Sequence, residues 1–345
     1  MILLRLILIP FSFIYSIIIF CRNKFYDLGI FKSVRLSTPV ISIGNITTGG
    51  TGKTPLTIFI AKFFLDKGFR VGIVSRGYKR ASREIVLVSD GNFINRNVAE
   101  SGDELILIAE DLIMNYQNNF AIAAGSSKAA ASNYIVETFC PDIIILDDAF
   151  QHRRVHRDLD IVIVDSQNLL NEKFLNSFTL PSGLLREYFS NLKRADLIIQ
   201  NNKDREIKII PELERYCRDI SVMRYKTEYF MDNKNVILKN YNSDAVIFSG
   251  IANNESFVSM VRNSGLNVIE VIKFPDHHMY NERDITELTV KYGKNKIFIT
   301  TEKDFVRLRH SKEFINNYPV YFLKMKIDFV SNENSLYLKL NELPK

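Results

Sequence analysis

Val40-Ile41-Ser42-Ile43-Gly44-Asn45-Ile46-Thr47-Thr48-Gly49-Gly50-Thr51-Gly52-Lys53-Thr54-Pro55 is the stretch that decides the fold. An apolar run with β-branched residues reads as a strand. A glycine-rich turn follows, then Gly-Lys-Thr and the start of a helix, with Pro55 just inside it. In that context the glycines let backbone N–H groups point inward around phosphate oxygens, and the helix N-terminus adds partial positive charge. Thr48, Gly49, Gly50, Thr51, Gly52, Lys53, Thr54 and Pro55 are the expected nucleotide-binding residues. Lys53 would reach the β- and γ-phosphates, and the Thr54 hydroxyl would hold Mg²⁺. The strict pattern has glycine where Thr47 stands; Gly49 and Gly50 supply the flexibility instead.

The second element that such a loop needs is a carboxylate at the end of a neighbouring strand. Ile143-Ile144-Ile145-Leu146-Asp147-Asp148 provides two, at the carboxyl edge of the sheet. Asp147 and Asp148 are therefore candidate metal ligands, with a turn cap as the plainer reading. Around them, Arg70–Val74, Ile85–Val88, Ala121–Ala124, Ile161–Val164 and Leu197–Ile199 read as strands. Helices are expected at Leu56–Leu65, at Glu104–Leu112 capped by Ser101, and from Ser126 or Ser127 to about Thr138. Alternating strand and helix predict an α/β fold: a phosphate-loop NTPase-type, mainly parallel sheet with helices on both faces. Beyond a polar join at about 201–242, Ala245–Phe248, Val268–Ile272, Lys296–Ile299 and Val320–Leu323 alternate with three further helices, predicting a second, smaller α/β domain. The expected division is 1–35, 36–220 and 221–345.

Residues Leu6 to Phe20 carry no charge, and Arg5, Arg22 and Lys24 flank them. This predicts an N-terminal membrane helix, slightly short of the ~20 apolar residues of a full span and kinked at Pro10, that either spans the membrane or lies partly embedded in it. No small-residue cleavage site follows it. The cations at 22, 24, 32 and 35 would place the body on the cytoplasmic side of the membrane. The chain has 345 residues, a net charge of +6 and 46% apolar residues, which fits a packed, basic protein with acidic partners. Basic runs interleaved with aromatics are lacking, so nucleic acid is not expected. Three scattered cysteines, Cys21, Cys140 and Cys217, make no disulfide framework or zinc site. Oligomeric state is not legible, and a monomer is compatible with the sequence.

Several further motifs follow in order. They are Ser75-Arg76-Gly77-Tyr78, Gly102-Asp103-Glu104, Asp147-Asp148-Ala149-Phe150-Gln151-His152, Arg157-Asp158-Leu159-Asp160, Pro181-Ser182-Gly183-Leu184-Leu185-Arg186-Glu187, Phe274-Pro275-Asp276-His277-His278 and Thr301-Glu302-Lys303-Asp304. Taken alone, Asp103 and Glu104 could simply complement a helix dipole, His277 and His278 could be loop histidines or weak metal ligands, and Arg186 and Glu187 could be a surface ion pair. As a set, with the phosphate loop and the apolar N-terminus, they resemble the tetraacyldisaccharide 4'-kinases over nearly the whole chain.

That resemblance implies ATP and Mg²⁺, and transfer of a phosphate to a lipid-linked disaccharide 1-phosphate at the cytoplasmic (inner) membrane. It also implies two α/β domains with the site between them. It makes Asp103 the base that takes the sugar hydroxyl proton, His277 its partner, and Lys53 the catalytic cation. Arg76, Tyr78, His152, Arg186 and Glu187 become supporting or substrate-binding residues. The rival is a membrane-associated ATPase without lipid phosphorylation. Guanine specificity is disfavoured, because Asn202-Lys203-Asp204 lacks the spacer of Asn-Lys-x-Asp and Thr301-Glu302-Lys303-Asp304 has the wrong order.

Overall fold

The structure, a computed structural model, describes residues 2–77, 80, 83–166, 177–251 and 254–343. Tyr78 lies outside the described residues. The chain forms two compact units, Met1–Asn202 with Glu206–Arg224 and Phe329–Lys345, and Lys203–Arg205 with Tyr225–Asp328.

The first unit carries a sheet of β1 (Val40–Asn45), β2 (Val71–Ser75), β3 (Val86–Ser89), β4 (Phe120–Ala124), β5 (Ile143–Asp147), β6 (Leu159–Asp165), β7 (Leu197–Asn201) and the start of β8 (Ile220–Met231). The order is β8-β7-β6-β1-β5-β2-β4-β3. Only β3 runs antiparallel to its neighbour. β1, β2, β4, β5, β6 and β7 are buried along their whole length, as sheets covered on both faces require. β1 lies between β5 and β6, with Ser42 beside Leu146 and Ile43 beside Ile161. The loops after β1, β2 and β5 therefore leave the same edge of the sheet.

The helices of this unit begin with α1 (Ile2–Ile7), α2 (Ile9–Asp27), α3 (Lys53–Leu65), α4 (Val98–Ser101), α5 (Asp103–Ile113) and α6 (Lys128–Phe139). Ile144 and Leu146 of β5 pack with Ala131 and Ile135 of α6 on one face. Alternation along the strand turns Ile143, Ile145 and Asp147 to the other face, where α3 lies against β1 and β5 and α5 lies against α3. The expected cap Ser101 instead ends α4, donating its hydroxyl to the Asn97 carbonyl at 2.6 Å. Gly102 stands at the N-cap of α5, so Asp103 is the first residue of that helix. Ser127 caps α6 by accepting from the Ala130 N–H at 3.3 Å.

The N-terminal segment departs from a full membrane span, one of the two forms expected of it. The chain breaks at Leu8, and Pro10 falls in the first turn of α2, where its missing N–H costs nothing. No helix among the described residues is long and apolar enough to cross a membrane. The physical reason is the polar residues that α2 buries. Ser12, Ser16, Ile19 and Asn23 form a stripe at helical spacing and turn inward. Ser16 shares a hydrogen bond with Thr179 at 2.7 Å, Ser12 Oγ accepts from the Ser182 N–H at 2.9 Å, and Asn23 donates to Glu187 at 3.0 Å. Phe11, Phe13, Ile14, Ile17, Ile18 and Phe20 face outward and are exposed.

The second unit has its own parallel sheet, in the order β10-β9-β11-β12. These strands are β9 (Asp244–Ser249), β10 (Asn267–Lys273), β11 (Ile297–Thr301) and β12 (Val320–Ser331), with α7 (Asn254–Asn263), α8 (Glu282–Tyr292), α9 (Glu302–Arg307) and α10 (Lys312–Asn317) between them. Val246, Phe248, Phe298, Phe305, Phe314 and Val320 form its core. The cut expected at residue 220 would leave the C-terminus in this unit, but Phe329–Lys345, including α11 (Glu333–Asn341), belongs to the first. Phe329 and Tyr337 pack on Phe59 of α3, and Tyr337 stacks on Phe63 at 5.4 Å. That aromatic contact returns the tail to the phosphate-loop helix.

Candidate active site

Glycines at the loop meet two different constraints. A Cβ on Gly44 would lie 2.5 Å from Phe150 Cβ and 2.6 Å from the Phe150 backbone nitrogen, so the loop after β5 can close on β1 only over a glycine. Gly49 and Gly52 have φ of 100° and 103°, the left-handed region that turns the chain into α3. The loop between them is held by side chains rather than by repeating structure. Asn45 Nδ2 donates to Thr51 Oγ1 at 2.9 Å, Asn201 Nδ2 donates to the Thr51 carbonyl at 2.9 Å, and Gln151 Nε2 donates to the Asn45 carbonyl at 2.8 Å. The Thr48 N–H donates to the Leu184 carbonyl and the Arg186 N–H to the Ile46 carbonyl, which ties the Pro181–Glu187 motif to the loop.

Lys53 and Thr54 open α3, three residues earlier than the helix start expected from the pattern. Lys53 Nζ lies 3.5 Å from Asp148 Oδ1, and Arg186 Nη1 donates to the same oxygen at 2.7 Å. Asp148 has φ of 51°, a left-handed turn that aspartate tolerates better than most residues and that separates the two carboxylates. Burial alone would raise the Asp148 carboxyl, but Lys53, Arg186 and Lys128 together hold it well below the usual range. Asp147 is the opposite case. It is fully buried, accepts from Thr57 Oγ1 at 3.3 Å and from Ser75 Oγ at 3.1 Å, and is pushed up to about 6 by burial and then by the charge of Glu104.

Two of these neighbours were absent from the sequence expectation. Thr57 lies one helical turn beyond Thr54, on the face of α3 that looks at β5, a spacing that could have signalled it. Lys128 is wholly buried at the first position of α6 and donates to the Asp147 carbonyl. A cation at a helix N-terminus runs against the dipole. Burial lowers its pKa to about 8, against the pull of Asp147 and Asp148. His152 is lowered to about 3 by burial and by the cations Lys128 and Arg76, so its ring is neutral. Arg76 Nη2 donates to His152 Nε2 at 3.4 Å.

The remaining expected residues separate by environment. Asp103 is buried, at 3% exposure, and lies in the first unit. Glu187 is 0% exposed and accepts from Arg22 at 3.1 Å, Asn23 at 3.0 Å and Arg194 at 2.6 Å, which makes it a clamp on α2. The second unit holds both histidines. His278 Nε2 lies 2.8 Å from Asp284 in the capping box of α8, and its ring stacks on Phe274 at 4.7 Å. His277 has φ of 61°, and its ring meets Arg307. His278 is thus absorbed in packing. No group of three or more metal-ligating side chains is found among the described residues. The donor set still suits a hydrated Mg²⁺, which takes only one or two protein carboxylates together with phosphate oxygens.

Known proteins resemble this chain along nearly its whole length. The family model of tetraacyldisaccharide-1-P 4'-kinase matches residues 4–343. The tetraacyldisaccharide 4'-kinase of Chlorobium chlorochromatii is 35% identical over 98% of this chain and 93% of its own. That of Aquifex aeolicus is 34% identical over 92% of this chain and 94% of its own. A crystal structure of the Aquifex aeolicus protein in complex with ATP superposes with a TM-score of 0.78 at 30% identity, covering 98% of this chain and 99% of that one. The mixed α/β fold, the glycine-rich loop between β1 and α3 and these full-length matches together place the chain in the tetraacyldisaccharide 4'-kinase family.

Proposed function

We propose that this protein transfers the γ-phosphate of ATP to the 4'-hydroxyl of tetraacyldisaccharide 1-phosphate, giving the 1,4'-bisphosphate and ADP in lipid A synthesis. The observation that carries this is the convergence of Lys53 and Arg186 on Asp148 beside the glycine-rich loop, in a chain whose whole length matches this family. The loop amides and Lys53 hold the β- and γ-phosphates. Thr54, Asp147 and Asp148 are the residues that would hold Mg²⁺, which when bound neutralises charge on the phosphates. Asp103 accepts the proton as the sugar O–H bond breaks and the new O–P bond forms; the bond between the γ-phosphorus and the bridging oxygen breaks, and ADP leaves with that electron pair. The family resemblance implies His277 as the partner of Asp103. Arg186 and Arg76 are cations placed to meet phosphate oxygens, and His152 supports Arg76.

The exposed apolar face of α2 supports a second part of the reading. Its polar face is bound to the body, so the outward phenylalanines and isoleucines are available to sit in the interfacial layer of the cytoplasmic membrane, where the lipid acceptor resides. The test of the reaction is label transfer. Purified protein, γ-labelled ATP, Mg²⁺ and tetraacyldisaccharide 1-phosphate in detergent should yield labelled lipid. ATP hydrolysis with no labelled lipid would instead favour an ATPase.

A further inference from the structure

Thr301-Glu302-Lys303-Asp304 opens α9, and its geometry runs from a buried ion pair to one nitrogen of His277. Thr301 caps the helix and donates its hydroxyl to Asp304 Oδ2 at 2.7 Å. Asp304 Oδ1 accepts from the Gly250 N–H at 3.1 Å and from Arg307 Nη1 at 2.9 Å. The same Nη1 donates to the Gly250 carbonyl at 2.9 Å, and the His277 N–H donates to that carbonyl at 2.9 Å. Arg307 and Asp304 are 2% and 0% exposed. From this fixed base, Arg307 Nη2 lies 3.1 Å from His277 Nδ1.

A guanidinium has five N–H donors, no acceptor, and stays charged at any working pH. A contact of Arg307 with His277 Nδ1 is therefore a hydrogen bond only if Nδ1 presents its lone pair. In a neutral imidazole that requires the proton on Nε2. An imidazolium would set an N–H against an N–H beside a buried positive charge. The carboxylate of Asp276, next along this loop, is 3.9 Å from Nε2, beyond hydrogen-bond distance.

We infer that Arg307, seated on Asp304, is a positioning residue that holds His277 as the neutral Nε2–H tautomer, so that His277 serves its carboxylate as a hydrogen-bond donor and not as a proton acceptor. This rests on the reading of His277 as the partner of Asp103, and it sharpens that reading. With Nδ1 occupied and Nε2 already protonated, the imidazole has no vacant lone pair for the sugar proton. The proton stays on Asp103 through the transfer step, and His277 orients the carboxylate that takes it. A buried ion pair is a poor stabilising device, because apolar residues of the same volume often serve as well. Fixing a tautomer gives this one a purpose.

The chain has five histidines, so selective ¹⁵N-histidine labelling of the full-length protein in detergent gives a readable spectrum, with His277→Gln assigning the resonance. At pH 7 the expected pattern is a protonated Nε2 and a bare Nδ1. An Nδ1–H tautomer or an imidazolium would overturn the inference, whatever any variant does. Arg307→Met should fold as an apolar replacement, scramble the tautomer signature and lower kcat by about 10-fold or more, with KM for ATP and lipid within about twofold. A wild-type kcat in a folded Arg307→Met whose signature is scrambled would also overturn it. If Arg307→Met fails to fold, the wild-type spectrum still decides. A wild-type kcat in His277→Gln would remove the Asp103–His277 reading while leaving the tautomer measurement standing, so the two failures are distinguishable.

Discussion

Replacing Glu187 by alanine removes the one acceptor that three donors share, and it should cost the first unit about 3–5 kcal/mol. The side chain is fully buried and binds Arg22, Asn23 and Arg194. Hydrogen bonds to a charged group are worth about 1.5–3 kcal/mol each, but the three are not additive. Arg22 is 31% exposed, so water recovers much of its share. The larger penalty falls on Arg194. Burial already lowers its pKa, Glu187 opposes that shift, and without Glu187 its guanidinium keeps the face of Phe150, 4.2 Å from the ring centroid. Against a total stability of about 5–15 kcal/mol, this is a large fraction. The assay is urea unfolding of Glu187→Ala beside Arg22→Ala, with protease sensitivity of α2 followed in both. The account expects a strong fall for Glu187→Ala, an effect of about 1 kcal/mol or less for Arg22→Ala, and faster cleavage of α2 in the first. A change below about 1 kcal/mol in Glu187→Ala, with kcat lost instead, would refute the clamp and return Glu187 to the reaction.

Three more expectations concern other parts of the molecule. Burial pushes the Asp147 carboxyl up to about 6 in the folded state, against about 3.9 unfolded, so its proton is held more tightly in the native state and stability should fall as pH rises from about 4 to 6. With a chelator present, Asp147→Asn should remove that fall and raise stability at pH 7 by roughly 2–3 kcal/mol, while phosphate transfer is lost; a less stable variant at pH 7 would contradict the assignment. Gly44→Ala drives a Cβ into the Phe150 backbone and should cost about 1–3 kcal/mol and weaken ATP binding, both checked by calorimetry, with unchanged values counting against the packing argument. Phe13→Glu with Ile17→Glu should abolish co-flotation with anionic vesicles and leave the melting temperature within a few degrees, since both side chains face outward; persistent flotation would rule out α2 as the membrane contact.

Much of this was readable because the relevant signals are local. The unbroken Val/Ile runs of β1, β5 and β6 mark strands buried on both faces, and the phosphate loop sits between one of them and a helix start. What escaped depends on contacts distant in the chain. Ser12, Ser16 and Asn23 look incidental in an apolar run, and only their partners near residues 179–187 show that the helix is inverted, polar inward and apolar outward. Lys128 reads as an ordinary surface lysine until α6 places it under Asp147. The tail after residue 328 shows no sign of its return, because the signal lies in aromatic contacts of Phe329 and Tyr337 with Phe59 and Phe63 of α3, distant in the chain. The difference between His277 and His278 likewise lies in their partners, Arg307 and Asp284, and not in the His-His dipeptide.

The most direct test of the central claim is a single-turnover experiment with γ-labelled ATP, Mg²⁺ and tetraacyldisaccharide 1-phosphate, run on wild type, Lys53→Ala and Asp103→Asn together with ATP-binding measurements. The account predicts label at the 4' position with wild type, loss of both binding and transfer with Lys53→Ala, and loss of transfer with retained ATP binding for Asp103→Asn. Transfer by Asp103→Asn at the wild-type rate, or ATP consumption by wild type that never labels the lipid, would contradict it.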